Sequence, residues 1–285
     1  MNKLKKQRQI KDQIASGFIW LSAAITVGFL FWIIWYILSN GMQHVSWSFI
    51  TDNYTRTGEE HGIFPMIVAT LYMVLASIAV AAPLGIMTAI YLTEYAKVGS
   101  KLVKVISFCT ESLAGIPSII YGLFGLTFFV GVLGLGFSIL AGALTLAILI
   151  LPVIIRTSEE AIIAVPLAYR EASYGLGASR LYTIVRLILP AAMPGIATAL
   201  VLSIGRIIGE SAPVFLTAGM VASIPGSIFD SGRTLTVHLY MLTTELYTQH
   251  DWNMAFATAT VLIVLVLMIN LITKLISSRF NKASY

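Results

Sequence analysis

Six long apolar runs, each long enough to cross a lipid bilayer as a helix, dominate this sequence of 285 residues. A helix needs about 20 predominantly apolar residues to cross a hydrocarbon core of roughly 30 Å. The runs lie at 17–39, 64–92, 105–132, 135–155, 191–220 and 254–277. The composition agrees, because only 11% of the residues are charged, against about 25% in an ordinary soluble domain. We therefore predict an all-α, polytopic membrane protein with about six transmembrane helices.

The first run follows a basic segment and is too long for a cleaved signal peptide. The apolar part of such a peptide spans about 7 to 15 residues, whereas this run extends over 17–39. We therefore predict a retained first helix. The third and fourth runs are separated only by a glycine-rich tip around Gly134, which predicts a tight helical hairpin.

The basic residues predict the orientation of the chain. Fifteen of the 18 Lys and Arg residues lie before the first run, between the second and third, between the fourth and fifth, or at the end of the chain. The opposite face receives Arg56 and Arg233, and Arg206 lies inside the fifth run. Because translocation disfavours Lys and Arg in short loops, the basic-rich face and both termini are predicted to be cytoplasmic. This pattern accounts for the net charge of +5 without a basic stripe, so no nucleic-acid partner is expected.

The sequence carries no recognisable catalytic or metal-binding motif. It lacks the Gly-x-x-x-x-Gly-Lys-Ser/Thr phosphate cradle, His-Glu-x-x-His and Gly-x-Ser-x-Gly. The single cysteine, Cys109, excludes a disulfide framework within the chain. The histidines all lie in predicted outer segments: His44, His61, His238 and His250. We therefore expect a non-catalytic membrane protein that binds or conducts and holds no metal.

The cytoplasmic segment 157–190 carries the most specific pattern. Its marked positions are Glu171, Ala172, Ser173, Gly177, Leu187, Leu189 and Pro190. The pattern resembles the cytoplasmic signature of the permease subunits of bacterial ABC importers, in which Glu-Ala-Ala, three residues, Gly and nine residues precede Ile-x-Leu-Pro. Ser173 and Leu187 are conservative departures from it. The segment is typical of a short helix along the membrane with a sharp turn at Gly177, and an ordinary amphipathic interfacial helix is the alternative.

Two further segments resemble one group within the ABC importer permeases more closely than the others. They read Glu111-Ser-Leu-Ala-Gly-Ile-Pro117 in the third run and Gly205-Arg-Ile-Ile-Gly-Glu-Ser-Ala-Pro213 in the fifth. Together they are similar to the permeases of phosphate-specific importers, and more to the PstA type than to its larger partner. The resemblance implies the MetI-like permease fold and a permease subunit that moves inorganic phosphate across the bacterial cytoplasmic (inner) membrane.

The resemblance also implies partners and a division of the chain. The partners are a related, PstC-like permease, two cytoplasmic ATP-binding subunits and an external phosphate-binding protein, so ATP binds to partner subunits and this chain holds no cofactor. The implied parts are a cytoplasmic N-terminal segment (1–16), a transmembrane permease domain (17–277) containing the cytoplasmic coupling segment (157–190), and a cytoplasmic tail (278–285). Contact with the ATP-binding subunits is assigned to Glu171, Ala172, Ser173, Tyr174 and Gly177.

Arg206 is the residue that most needs a physical explanation. An arginine near the middle of a span costs about 2.5 to 3.5 kcal/mol on insertion scales. Glu210 follows four residues later, so the two side chains can pair, and Ser203 continues roughly the same face. Because a guanidinium has five N–H donors, those that a carboxylate leaves free can bind an oxyanion. We therefore predict that Arg206, Glu210 and Ser203 lie on a substrate pathway, with a purely structural pair as the alternative.

Other functions remain open at this stage. An ion-coupled secondary transporter of an anion would use Glu210 or Glu111 as a proton carrier and need no cytoplasmic partner. A permease for another oxyanion would use Arg206 in the same way, and a membrane scaffold would leave Arg206 structural. Glu111, near the cytoplasmic end of the third run, is expected to reach the headgroup region or Lys104.

Overall fold

The computed structural model describes residues 2–54, 62–97, 99–244 and 248–282, and every regular element among them is a helix. Arg56, His61 and the last residues of the predicted tail lie outside the described residues. The helices are α1 (Asn2–Gly41), α2 (Trp47–Thr51), α3 (Phe64–Ile90), α4 (Lys101–Ala114), α5 (Ser118–Gly125), α6 (Ile139–Ile163), α7 (Leu167–Gly175), α8 (Arg180–Thr183), α9 (Leu189–Gly209), α10 (Ala212–Thr217), α11 (Leu235–Thr244) and α12 (Gln249–Lys282).

Five helical stretches of the described chain are long and apolar enough to cross a bilayer. They are Lys11–His44, Phe64–Tyr95, Ile139–Ile163, Arg180–Gly209 and Gln249–Leu275. A sixth candidate joins α4 to Ser118–Val132 through a bend of 104°. The prediction of an all-α protein with about six spans is confirmed, provided that the bent pair is one span.

The third predicted span, 105–132, is one apolar run but forms two helices with a sharp bend between them. α4 ends at Ala114, and α5 begins after Pro117, which occupies its N-cap position with an extended ψ of 139°. Proline has no backbone N–H and pushes the residue before it out of the helical region. The chain therefore turns sharply at 115–117 in the middle of the apolar run. The short tip between the third and fourth spans is as predicted, with Gly134 at a φ of +65°.

The fifth predicted span, 191–220, is also misplaced. The helix begins at Arg180 and ends at Gly209, and Glu210 has an extended ψ of 128°. Pro213 lacks the N–H that would bond to the Gly209 carbonyl, so the helix does not continue through it. At the other end, Pro190 lies within the span, two residues after a π-helical stretch at Ile184–Ile188. Such a stretch changes the hydrogen-bond register.

The core forms around α6, which packs against α3 and α9. Large apolar side chains of α6 such as Leu146, Ile150 and Ile154 are fully buried. α12 packs against α9 and α1, while α1 leaves Trp20 and Trp35 more than 70% exposed. The segment between the last two spans also contains α11, a ten-residue helix that was not predicted because it is too short to form a span.

Candidate functional site

Arg206 lies in the last turn of α9 and pairs with Glu210, as the spacing predicts. The Nε atom of Arg206 lies 3.6 Å from Oε1 of Glu210. The predicted position near the middle of a continuous span is wrong, because the helix ends three residues later at Gly209. A cation in the last turn of a helix is stabilised by the partial negative charge of the terminal carbonyls. The break therefore reduces the energetic penalty of burying this arginine.

The Arg206 guanidinium keeps most of its donors available. Among the described residues the ion pair with Glu210 is its only polar contact, and the Arg206 side chain is 34% exposed. The Glu210 side chain is 15% exposed. A guanidinium carries five N–H donors in a planar fork, so this geometry leaves donors free to bind an oxyanion.

The site lies where two interrupted spans meet. α10, which follows the break after α9, packs against α5, which follows the break after α4. A Cβ atom added at Gly122 of α5 would lie 2.9 Å from Cα of Pro213, so this close approach requires glycine. Tyr121 of α5 is buried and donates a hydrogen bond of 2.6 Å to the carbonyl oxygen of Leu113, which ties α5 to the end of α4 across the break. Irregular backbone at membrane depth is typical of segments buried in protein or lining a cavity.

Ser203 does not share the exposed surface of Arg206. Its side chain is fully buried, and its hydroxyl donates a hydrogen bond of 2.8 Å to the carbonyl oxygen of Ala199. Ser203 faces the core of the bundle although it lies only three residues before Arg206, because the neighbouring helices cover this part of α9. The structure therefore brings Arg206 and Glu210 together but leaves Ser203 outside the surface they form.

Glu111 has a different partner from the one expected. Its carboxylate bonds to Arg156 of α6 and not to Lys104, and Arg156 also bonds to Glu159 at 3.2 Å. Glu111 lies in the last turn of α4, where it faces α6 across the helix interface. The sequence contains no signal for this pairing, because the two residues are 45 positions apart.

The coupling segment forms a short helix followed by a tight turn, as predicted. α7 ends at Gly175, and Gly177 has a φ of +79°, a conformation that glycine adopts far more easily than other residues. The amide of Gly177 donates a hydrogen bond of 2.9 Å to the carbonyl oxygen of Tyr174. Glu171, Ala172 and Tyr174 are exposed, so a partner has access to them.

An open apolar groove of about 710 Å³ lies between α7 and the start of the fifth span. Its lining is Tyr169, Ala172, Ser173, Leu176, Gly177, Ala178, Ser179, Tyr182 and Leu187; we call this surface the coupling groove. Leu176 is 90% exposed at its edge. Ser173 differs from the expectation of a contact face, because its hydroxyl shares a hydrogen bond of 2.8 Å with the hydroxyl of Thr183. Ser173 therefore ties the two walls of the groove together.

Arg170 and Glu94 form a buried ion pair that no sequence motif predicted. Nη2 of Arg170 lies 2.7 Å from Oε1 of Glu94, and the two side chains are 14% and 5% exposed. The only sequence signal was that Arg170 directly precedes Glu171, the first residue of the cytoplasmic motif. Among the described residues, no group of three or more His, Cys, Asp or Glu side chains is arranged to hold a metal ion.

The chain is similar to known transport proteins over nearly its whole length. A family model for the binding-protein-dependent transport system inner membrane component matches residues 81–282. Probable ABC transporter permease protein YqgI of Bacillus subtilis (strain 168) is 33% identical over 96% of this chain and 98% of its own length. Phosphate transport system permease protein PstA 1 of Mycobacterium tuberculosis (strain CDC 1551 / Oshkosh) is 36% identical over 96% of this chain and 90% of its own length.

The fold is also found among solved structures. A chain of a bacterial alginate ABC transporter, crystallised with an alginate-bound periplasmic protein, has a TM-score of 0.66 at 17% identity and covers 98% of this chain and 97% of its own length. The family match and the identity to these relatives confirm the resemblance that the coupling segment and the segments of the third and fifth runs indicated. The chain therefore belongs to the family of binding-protein-dependent transport system inner membrane components and is a non-catalytic, multi-pass permease subunit of an ABC importer.

Proposed function

We propose that this chain is the permease subunit through which an ABC importer moves inorganic phosphate across the cytoplasmic membrane. The observation that carries the proposal is its 36% identity, over 96% of the chain, to a protein named as a phosphate transport system permease. The free donors of Arg206 are consistent with an oxyanion substrate. In an ABC importer the energy comes from ATP, so neither Glu210 nor Glu111 is needed as a proton carrier.

In this proposal Arg206 and Glu210 line the path of the anion. The guanidinium keeps donors for phosphate oxygens, while Glu210 holds it in place through the 3.6 Å contact. A single arginine does not balance a multivalent anion. We therefore expect the second, PstC-like permease to add a further cation to the same path.

The energy enters at the coupling segment. Glu171, Ala172, Tyr174 and Gly177 present an exposed surface beside the coupling groove, and one of the two cytoplasmic ATP-binding subunits docks there in the assembled importer. Ser173 supports this surface from within through its bond to Thr183. ATP binds to those subunits, and an external phosphate-binding protein delivers the substrate on the opposite face.

Uptake of radiolabelled phosphate by cells with and without this chain tests the proposed substrate. We expect uptake from micromolar phosphate to be lost without the chain, to return when it is supplied, and to resist competition by sulfate or molybdate. The control is uptake of an amino acid by an unrelated importer, which must stay unchanged. Loss of sulfate or molybdate uptake in place of phosphate uptake would reassign the substrate to that oxyanion.

The orientation is tested by cysteine labelling. Lys101 and Arg180 are exposed and lie on the face that carries the excess of Lys and Arg, so both are proposed to be cytoplasmic together with both termini. With the native Cys109 replaced by Ser, single cysteines at these positions should react with an impermeant maleimide only after the membrane is opened. A cysteine at Met42, which is 64% exposed on the opposite face, serves as the matched control and should react in intact cells. Efficient labelling of Lys101→Cys in intact cells would reverse the topology.

A further inference from the structure

We propose that Arg170 is a positioning residue that clamps the coupling segment to the cytoplasmic end of α3, so that displacement of α7 moves the core of the permease. The inference rests on the proposed docking of ATP-binding subunits at α7. Two contacts carry it: the Glu94–Arg170 ion pair and the stacking of Arg180 on Tyr95, which together we call the clamp. The clamp is the route by which a displacement of α7 passes from the coupling segment to the rest of the permease.

The guanidinium of Arg170 joins three parts of the fold. Its Nε and Nη2 atoms donate to Oε1 of Glu94 at 3.0 and 2.7 Å. Nη2 also donates to the carbonyl oxygen of Ile162 at 3.0 Å, and Nη1 donates to that of Val165 at 2.9 Å. These carbonyls belong to the end of α6 and the residues after it, where the regular bonds to an amide four residues later stop. Arg170 therefore attaches α7 to the ends of both α3 and α6.

Glu94 is presented to Arg170 by a local irregularity of the backbone. The helix that begins as α3 continues as a π-helical stretch at Tyr91–Tyr95, which contains Glu94. An extra residue in a helical turn changes the direction of the side chains that follow it, and such turns are frequent at functional sites. The Glu94 side chain is 5% exposed. A carboxylate buried to this degree needs its cationic partner, because an isolated charge is costly away from water.

The residue after Glu94 holds the other arm of the coupling segment. The guanidinium carbon of Arg180, the first residue of α8, lies 4.9 Å from the ring centre of Tyr95, a distance typical of a cation–π contact. Adjacent residues at the end of α3 thus hold both α7 and α8. The coupling segment is therefore attached to the end of α3 at two points, one on each of its helices. A segment attached in this way moves with its partner more readily than a segment held only by its flanking loops.

The clamp leads directly into the centre of the bundle. α3 packs along α6 and also contacts α9, which carries Arg206. A displacement of α7 therefore reaches the anion site through α3 and α6, in addition to the covalent route through α8 and α9. Without the clamp only the covalent route remains, and the π-helical stretch at Ile184–Ile188 interrupts its regular hydrogen bonding.

The test compares Glu94→Gln with Glu111→Gln in the complete complex, reconstituted with its ATP-binding subunits and binding protein. Both variants remove one carboxylate charge from an ion pair with an arginine, but only Glu94 contacts the coupling segment. We expect Glu94→Gln to retain bound ATP-binding subunits while phosphate transported per ATP hydrolysed falls at least about fivefold, the lower end of typical coupling between distant sites. Glu111→Gln should leave this ratio unchanged. Arg170→Lys keeps a buried cation, loses the planar fork, and should give an intermediate ratio.

An unchanged ratio in both Glu94→Gln and Arg170→Lys would overturn the clamp. So would release of the ATP-binding subunits by Glu94→Gln, because the pair would then serve docking and not transmission. A second measurement follows the clamp itself with spin labels at Lys97 and Ala168, both exposed, in a Cys109→Ser background. The distance between the labels should be the same with and without ATP in the parent complex and should change with ATP in Glu94→Gln; a distance that changes equally in both would also overturn the clamp.

A cross-link separates failure of the clamp from failure of the proposed docking site. A cysteine at Leu176, on the edge of the coupling groove, should cross-link to an ATP-binding subunit in both the parent and Glu94→Gln complexes. Absence of the cross-link from both would count against the proposed docking role. Its presence in both, together with unchanged transport per ATP, would count against the clamp alone.

Discussion

Replacement of Arg206 by Ala is expected to reduce phosphate uptake at least about 100-fold while the complex still assembles. A hydrogen bond to a charged group contributes about 1.5 to 3 kcal/mol, and about 1.4 kcal/mol corresponds to a tenfold change. Loss of two such bonds to the anion therefore accounts for a reduction of this size. Assembly should survive, because the Arg206 side chain makes a single ion pair at 3.6 Å among the described residues. The measurement is initial uptake of radiolabelled phosphate, with the amount of complex in the membrane determined in parallel.

Three further variants test whether the loss of uptake is specific to the guanidinium of Arg206 and to its partner Glu210. Arg206→Lys keeps the charge but loses the planar fork, so it should remain largely inactive. Leu202→Ala shortens a 55% exposed side chain one turn earlier on α9 and should keep near-normal uptake. Glu210→Gln should reduce uptake more than assembly, because the carboxylate can accept a hydrogen bond from the P–O–H group that phosphate still carries near pH 7 and also orients Arg206. Normal uptake by Arg206→Ala would remove Arg206 from the pathway, and equal loss of uptake and assembly by Glu210→Gln would make that residue structural.

Replacement of Gly177 by Val should uncouple ATP hydrolysis from transport, so that hydrolysis continues while transport falls, or should release the ATP-binding subunits. In either case the chain should remain in the membrane. The φ of +79° at Gly177 costs a non-glycine residue about 1 to 3 kcal/mol, and more for a β-branched side chain. Because no atom lies within 4 Å of an added Cβ, the cost comes from the backbone and not from a clash. The turn after α7 would relax, which would move Leu176 and the coupling groove. Transport should fall at least about tenfold, since about 1.4 kcal/mol already corresponds to that factor.

Gly175→Ala is the matched control for this turn. Gly175 ends α7, has no atom within 4 Å of an added Cβ, and lacks a positive φ. Alanine there should be neutral or slightly stabilising because of its higher helix propensity. Glu171→Lys reverses an exposed charge on the same helix and should weaken binding of the ATP-binding subunits, measured by co-purification. If Gly177→Val and Glu171→Lys both show normal association and normal uptake, the energy enters elsewhere.

The two errors in the predicted spans have the same cause. Hydropathy shows that residues 105–132 and 191–220 are apolar, but it does not show whether the backbone is continuous through them. Pro117 and Pro213 each lie within one of these runs. Whether a proline bends a helix or ends it depends on which neighbours satisfy the freed backbone groups. α5 and α10 pack against each other after these breaks, and this contact makes two separate short helices stable.

The spacing of polar residues along a helix also did not predict which of their side chains are buried. Ser203 and Arg206 are three positions apart on one helix, which suggested a common face. Ser203 faces the core and bonds to its own helix, whereas Arg206 is partly exposed. Helical spacing gives the angle between two side chains, and only the packed neighbours show which of them remains accessible.

The sequence by itself determined the membrane class, the approximate number of spans, the coupling motif and the family. These follow from local properties, since a bilayer selects for apolar length and the motif is a contiguous pattern. The tertiary structure decided which distant residues meet: Glu111 bonds to Arg156, and Glu94 bonds to Arg170 across 76 positions of the chain. Such pairs depend on the relative placement of whole helices. In a membrane that placement follows from side-chain packing and from partners for each buried polar group.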